Sequence, residues 1–345
     1  MKNTIKISIL FLLFSCANIV PPTGGPKDNK SPNLISVDEV LKSNNRVFKF
    51  TFDENIQINN WDENFYISPP INYIDYNIKG NKLEIEIENN LFKNYIYSIC
   101  LNSCIKDQNE GNILEELEYL IDNKKDTINL KKLESLQVIL TNSYSGKNEN
   151  NHWVLLYSNE IHDSLILKIE PSYIAKTNRN GIANFSRNIM PGSYKIASIS
   201  GFDYKYNLNK TISFKENEIN SSIDTIIKLY TFNELKIDSS DTNFDTIKNE
   251  ISGNLVIKSK NLNNLIIELF KNDKLIIKEL INDNLFNIKN LKIGEYKLRY
   301  FIDNNMNGVW DNGKLKGKIV PEIIKYYDET ILIRENWDIE IEIIL

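Results

Sequence analysis

The chain has 345 residues, with 41 basic and 46 acidic side chains, a net charge of -5 and 41% hydrophobic residues. Such a length accommodates two or three domains, and the apolar content fills ordinary cores. The two charge signs are well mixed, so the basic stripe that nucleic acid requires is missing and no partner is recruited by bulk charge.

The first sixteen residues carry the sharpest signal. A basic start (Lys2, Lys6) runs into an apolar stretch from Ile7 to Phe14 and stops at Leu13-Phe14-Ser15-Cys16. An apolar run of this length is too short to span a bilayer as a helix and fits an exported leader. The small Ser15 directly before Cys16 resembles a bacterial lipoprotein signal. Residues 1–15 then form the signal peptide, and Cys16 becomes the lipidated N-terminus. The bland alternatives are an ordinary leader with a chance cysteine, or a buried strand. Residues 16–30 include Pro21-Pro22-Thr23-Gly24-Gly25-Pro26, which holds no regular element and reads as a tether. Beyond the leader, no apolar run approaches the roughly 20 residues of a membrane span.

The body reads as all-β, a tandem of antiparallel sandwiches. Arg46–Phe52 alternates with Phe50 and Phe52 on one face, as do Leu83–Glu88 and Tyr95–Ile99. Lys79-Gly80-Asn81-Lys82 marks a turn, and 31–122 has the size of one Ig-like domain. A second sandwich is expected over 130–234, where Asn180-Gly181 supplies a tight turn between two short strands and Gly192-Ser193-Tyr194-Lys195 opens another. A third, over 248–345, repeats the plan with Gly294-Glu295-Tyr296-Lys297. The polar run Asp238–Asn243 marks the boundary between them. One continuous sheet is the alternative.

Several phrases occur in order: Pro22-Thr23-Gly24-Gly25-Pro26-Lys27-Asp28, Phe52-Asp53-Glu54, Ile67-Ser68-Pro69-Pro70, Asp107-Gln108-Asn109-Glu110-Gly111-Asn112, and Asn304 to Asp311 with Arg334-Glu335-Asn336-Trp337-Asp338. Together they resemble Bacteroidetes lipoproteins with an N-terminal bacterial Ig-like domain of the SbsA type, over nearly the whole chain. The resemblance implies an Ig-like domain followed by transthyretin-like or carboxypeptidase-regulatory-like sandwiches on a lipid anchor in the cell envelope. It implies no chemical activity, and a fold alone supplies none.

Asp303, Asn305 and Asn307 place oxygen donors at alternate positions, followed by the carbonyl of Val309 and by Asp311. This is a calcium-like ladder. Lys314 stands where an EF-hand has its bidentate Glu, so any affinity would lie in the weak extracellular range. The competing reading is an Asx-rich loop whose side chains bond their own backbone, with Trp310 packed against the sandwich. Asp107 and Asn112 are expected to fix their loop in that way. Phe52 points inward, and the adjacent Asp53 and Glu54 point to opposite faces, which is poor geometry for shared acid–base work.

Cys100 and Cys104 form a disulfide if the chain turns at Leu101-Asn102-Ser103, and are buried thiols otherwise. His152 and His162 are the only histidines; His152 reads as a surface edge residue and His162 as part of a turn. No phosphate-binding Gly loop or nucleophile elbow occurs, so no catalytic residue is nominated. The expected role is a non-catalytic, lipid-anchored envelope protein whose sandwiches act as spacer or binding module, touching the outer membrane through its lipid. The side it faces stays open. A carbohydrate- or peptide-binding accessory would need an exposed aromatic patch from Trp61, Tyr66, Tyr73 and Tyr76, or from Trp310, Tyr326 and Tyr327. An assembly factor would pair through a sheet edge, and an enzyme would need converging carboxylates.

Overall fold

The computed structural model describes residues 27–42, 44–92, 95–121, 134–235, 252–260 and 263–343. The leader, Cys16, most of the tether and the run Asp238–Asn243 lie outside the described residues.

The first sandwich packs a four-stranded sheet, Leu34–Lys42, Asn45–Phe52, Lys82–Glu88 and Ile74–Lys79 in spatial order, against Glu118–Ile121, Tyr97–Leu101 and Phe65–Ser68. Alternation does its work here. Phe48, Phe50 and Phe52 enter the core beside Leu83, Ile85 and Ile87, facing Tyr97, Ile99 and Leu101. The Gly80-Asn81 turn closes a true hairpin, Lys79 pairing with Lys82 and Gly80 standing at φ +61°.

The second and third sandwiches are two copies of one plan. In the second, Ile182–Ile189, Glu134–Asn142 and Ile226–Thr231 face Tyr173–Lys176, His152–Ser158, Ser193–Ser200 and Ile212–Phe214. In the third, Leu285–Lys292, Ser252–Ser259 and Asp338–Ile343 face Lys274–Ile281, Leu265–Lys271, Gly294–Ile302 and Lys325–Tyr326. Each copy ends with a strand that pairs parallel to its first strand, Gln137 with Ile226 and Asn254 with Asp338. Each first strand also carries a register shift near its start. The repeated Gly-x-Tyr-Lys phrase has a structural cause. Tyr194 Oη donates to the Met190 carbonyl and Tyr296 Oη to the Lys292 carbonyl, both at 2.7 Å, so each tyrosine ties its strand to the preceding turn while its ring enters the core.

The Asn180-Gly181 turn forms, but it is not a hairpin. The strand before it pairs with His152–Ser158 and the strand after it with Glu134–Asn142, so the turn arches from one sheet to the other. Gly181 is needed there: it stands at φ +72°, and a Cβ would lie 2.8 Å from the Leu140 carbonyl oxygen.

Candidate functional site

The Asp303 loop is built as a scaffold that is tied down at both ends. Asp303 is buried, and its carboxylate accepts from the backbone N–H of Asn307 (3.2 Å) and Gly308 (2.7 Å). The carboxamides of Asn305 and Asn307 donate to Asp311 at 2.6 and 2.7 Å, while the Asn305 and Asn307 side-chain oxygens accept from the Asn307 and Val309 N–H groups. The sequence ladder is thus brought into one loop, with its oxygens turned to nitrogen donors of that loop. Glu322 completes the scaffold, accepting from Asn304 N (2.7 Å) and Asp311 N (3.0 Å). Burial first, then the charges of Asp311 and Asp303, hold the Glu322 carboxyl above the ordinary range against those two donors. Among the described residues no group of three or more His, Cys, Asp or Glu is arranged to hold a metal.

What the loop does is join two sandwiches. Trp310 is buried, donates to the Glu322 carbonyl (2.7 Å), and meets Tyr144 of the second sandwich edge-on at 5.0 Å. Asn312 donates to the Asn233 carbonyl (2.6 Å), the Leu315 N–H to Glu234 (2.7 Å), and the Ile324 N–H to the Ser143 carbonyl (2.9 Å). Gly313 lies against Phe232 so closely that a Cβ would sit 2.6 Å from the ring. Beside this seam lies an ionic row across three neighbouring strands. Glu268 is fully buried between its register partners Lys278 (3.2 Å) and Arg299, with Arg299 also over the Tyr144 ring at 5.1 Å. The sequence offered one signal for it: Glu268 interrupts the apolar run Leu265–Phe270, which forces pairing, whereas Arg299 continues the alternation of Glu295 and Lys297 and reads as solvent-facing.

The first and second sandwiches meet differently. Trp153 is held edge-on between Tyr66 (5.4 Å) and Tyr204 (5.3 Å), and the Ile174 N–H donates to the Ser68 hydroxyl at 3.0 Å. Lys176, 9% exposed, lies over the Trp153 ring at 4.7 Å and donates to the Glu63 carbonyl, at the end of the short helix Trp61–Asn64. Burial pushes its ammonium down to about 8, against the pull of the Glu63 charge. Next to this contact a polar cleft of about 700 Å³ opens between the two sandwiches.

Cys100 and Cys104 are free and buried, the second of the two readings that the sequence left open. The turn a bridge needs is present, with Ser103 at φ +55° and the Cys104 N–H reaching the Leu101 carbonyl at 3.4 Å. The side chains part, however. Cys100 joins Tyr66 and Trp153 at the seam, whereas Cys104 packs in the first core with Leu101 and Ile105. Burial pushes the Cys100 thiol up to about 12 and Cys104 up as well, which disfavours the thiolate that nucleophilic chemistry needs.

His152 is not a surface residue. It is 6% exposed, with Nδ1 against the Asn150 carbonyl at 2.9 Å. His162 caps the short turn Asp163–Leu165, accepting from the Ser164 N–H at 3.2 Å. Asp107 accepts from the N–H groups of Glu110, Gly111 and Asn112 (2.6, 2.9 and 2.7 Å); burial opposes its charge, but these bonds hold its carboxyl below the usual range. The Asn112 carboxamide instead reaches the Asp28 carbonyl at 3.1 Å. Asp53 is bonded by Asn33. Neither aromatic group forms an exposed patch. Trp61 is stacked between Phe65 and Tyr76, Tyr66 and Trp310 are in the seams, and Tyr73, Tyr76 and Tyr326 are the members left 40–43% exposed.

No family model matches the chain, and no curated protein matches it. Solved structures do match, at low similarity. The Bacillus anthracis TIE protein is 13% identical with a TM-score of 0.21, over 92% of this chain and 58% of its own length. An Escherichia coli alpha-2-macroglobulin spanning domains MG0-NIE-MG1 is 9% identical with a TM-score of 0.23, over 86% and 97%. A Streptococcal ancillary pilin is 11% identical with a TM-score of 0.19, over 78% and 79%. The architecture rests on the strand pairing itself: the chain is an all-β structure of several mostly antiparallel sandwiches.

Proposed function

We propose that this chain is a non-catalytic, lipid-anchored protein of the cell envelope, whose linked sandwiches act as a spacer that presents a binding surface. The observation that carries the reading is the way consecutive sandwiches are joined by packed side chains, Tyr66 with Trp153 at one seam and Tyr144 with Trp310 at the other. A spacer needs such seams, because unpacked domains default to relative motion. The groups a hydrolase would use are engaged structurally: His162 caps a turn, Asp107 closes a loop, and the carboxylates of Asp303 and Asp311 hold their own loop. The Leu13-Phe14-Ser15-Cys16 sequence supports the anchor, and the ordered motifs from Pro22 to Asp338 support kinship with Bacteroidetes lipoproteins of SbsA type. Fractionation tests the anchoring. Wild type is expected with the outer membrane and Cys16→Ser in the soluble fraction; a Cys16→Ser protein that still needs detergent would overturn it.

A further inference from the structure

The cleft between the first and second sandwiches has an unusual wall. Eight of its seventeen lining residues are asparagines, against about one residue in seven along the chain, so the compositional bias alone does not account for it. They come from separate segments: the short helix and its lead-in, the 102–103 turn, the approach to His152 and the arch after Lys176. Among the described residues, the carboxamides of Asn60, Asn64, Asn150, Asn151 and Asn180 bond no other protein group and, apart from half-buried Asn64, stand at exposed positions, although neighbouring Asn59 and Asn178 are engaged with the Ser103 carbonyl and the Ile182 N–H. Each free carboxamide offers both donors and an acceptor. Three carboxylates, Glu63, Glu115 and Glu116, line the same space as two cations, Lys176 and Arg179. Apolar lining is limited to Tyr66 and Ile113.

We propose that this cleft binds a neutral glycan segment, with the free asparagine carboxamides and the flanking glutamates pairing with sugar hydroxyls. Hydroxyl groups donate and accept at once, and a wall of amides with carboxylates answers both roles. An anionic glycan meets more carboxylates than cations here. A peptide needs a strand edge or apolar pockets for alternate side chains, and this cleft offers two apolar residues. The volume of about 700 Å³ holds a few sugar rings. The inference deepens the binding role proposed above and rests on it.

The test is calorimetric titration of the full-length protein, held in a non-glycosidic detergent, with neutral pentasaccharides of glucose, mannose, xylose and N-acetylglucosamine, and with a mixed-sequence decapeptide pool. Saturable binding of at least one sugar is expected, weakened about tenfold or more in Asn64→Ala/Asn150→Ala with unchanged melting temperature. Should that variant fail to fold, Glu116→Gln/Asn180→Ala, at exposed positions, carries the same expectation. No saturable sugar binding, sugar binding indifferent to the folded variant, or binding of the peptide pool alone would each overturn the assignment. Fractionation of Cys16→Ser reads the anchoring independently, so loss of the glycan reading with anchoring intact removes the cleft's ligand and leaves the spacer.

Discussion

The second and third sandwiches present the same outer sheet face to what precedes them, yet fill it with opposite chemistry. Aligned on the Gly-x-Tyr-Lys strand, the three register partners Ile174, Leu155 and Ala197 of the second sandwich occupy the positions of Lys278, Glu268 and Arg299 in the third. The apolar row is covered through Trp153, Tyr66 and Tyr204 and stands next to an open cleft. The ionic row is roofed by Tyr144, and the seam beside it is filled by the 303–324 loop. Apolar burial is non-directional and tolerates an imperfect fit. A buried ion row stabilises only when every charge is paired, and so it demands one geometry between the two sandwiches.

The largest effect should come from breaking that row at one member. Arg299→Met leaves Glu268 buried with half its compensation, and should cost about 3–5 kcal/mol in denaturant unfolding. Transplanting the second sandwich's solution sharpens the comparison: Glu268→Leu with Arg299→Ala and Lys278→Ile should be neutral or stabilise by about 1–4 kcal/mol. A triple variant as damaged as the single one would mean that the charges themselves hold the seam. Next, Gly313→Ala should cost about 1–3 kcal/mol, because its methyl group meets the Phe232 ring; the same change at exposed Gly308, where a Cβ meets nothing, should cost less and only through its φ of +80°.

At the other seam, Lys176 folds with its ammonium pushed down to about 8. Between there and about 10.5 the unfolded chain holds more proton than the folded one, so this group makes stability rise with pH across that window. Lys176→Met should therefore be about 1 kcal/mol more stable than wild type near pH 7, after loss of the Trp153 contact is set against relief of burial, with the gap shrinking by about 1.4 kcal/mol per pH unit above about 8 and reversing before about 10.5. A gap constant with pH would mean the lysine is solvated at this seam. The smallest effect is expected from calcium. With the Asp303 and Asp311 oxygens bonded within the loop, millimolar calcium should move the melting temperature by less than about 1 °C. A saturable upward shift that Asp311→Asn abolishes would assign the loop as a metal site.

Local alternation made the strands legible. Phe48 to Phe52 and Leu83 to Ile87 line the core as their period of two demands, and Gly80-Asn81 turns where it should. Pairing was less legible, because the partner of a strand is set by distant contacts: the two strands flanking Asn180-Gly181 join different sheets, and each closing parallel strand pairs with the far end of its own domain. At the sites, the oxygen-rich loop was visible as a pattern, whereas its work depends on Tyr144, Asn233 and Glu234 in another sandwich, which no local window contains. The same holds for the cysteines. Their spacing allowed a bridge, and only the two faces of the Tyr97–Leu101 sheet decided against it.

Calorimetric unfolding of wild type and Trp310→Ala tests most directly whether the 303–324 loop couples the last two sandwiches. Coupling predicts one shared transition for them in wild type, split by the substitution into two, with the third sandwich melting first. Two independent transitions already present in wild type, or a single transition that merely shifts in Trp310→Ala, would contradict it.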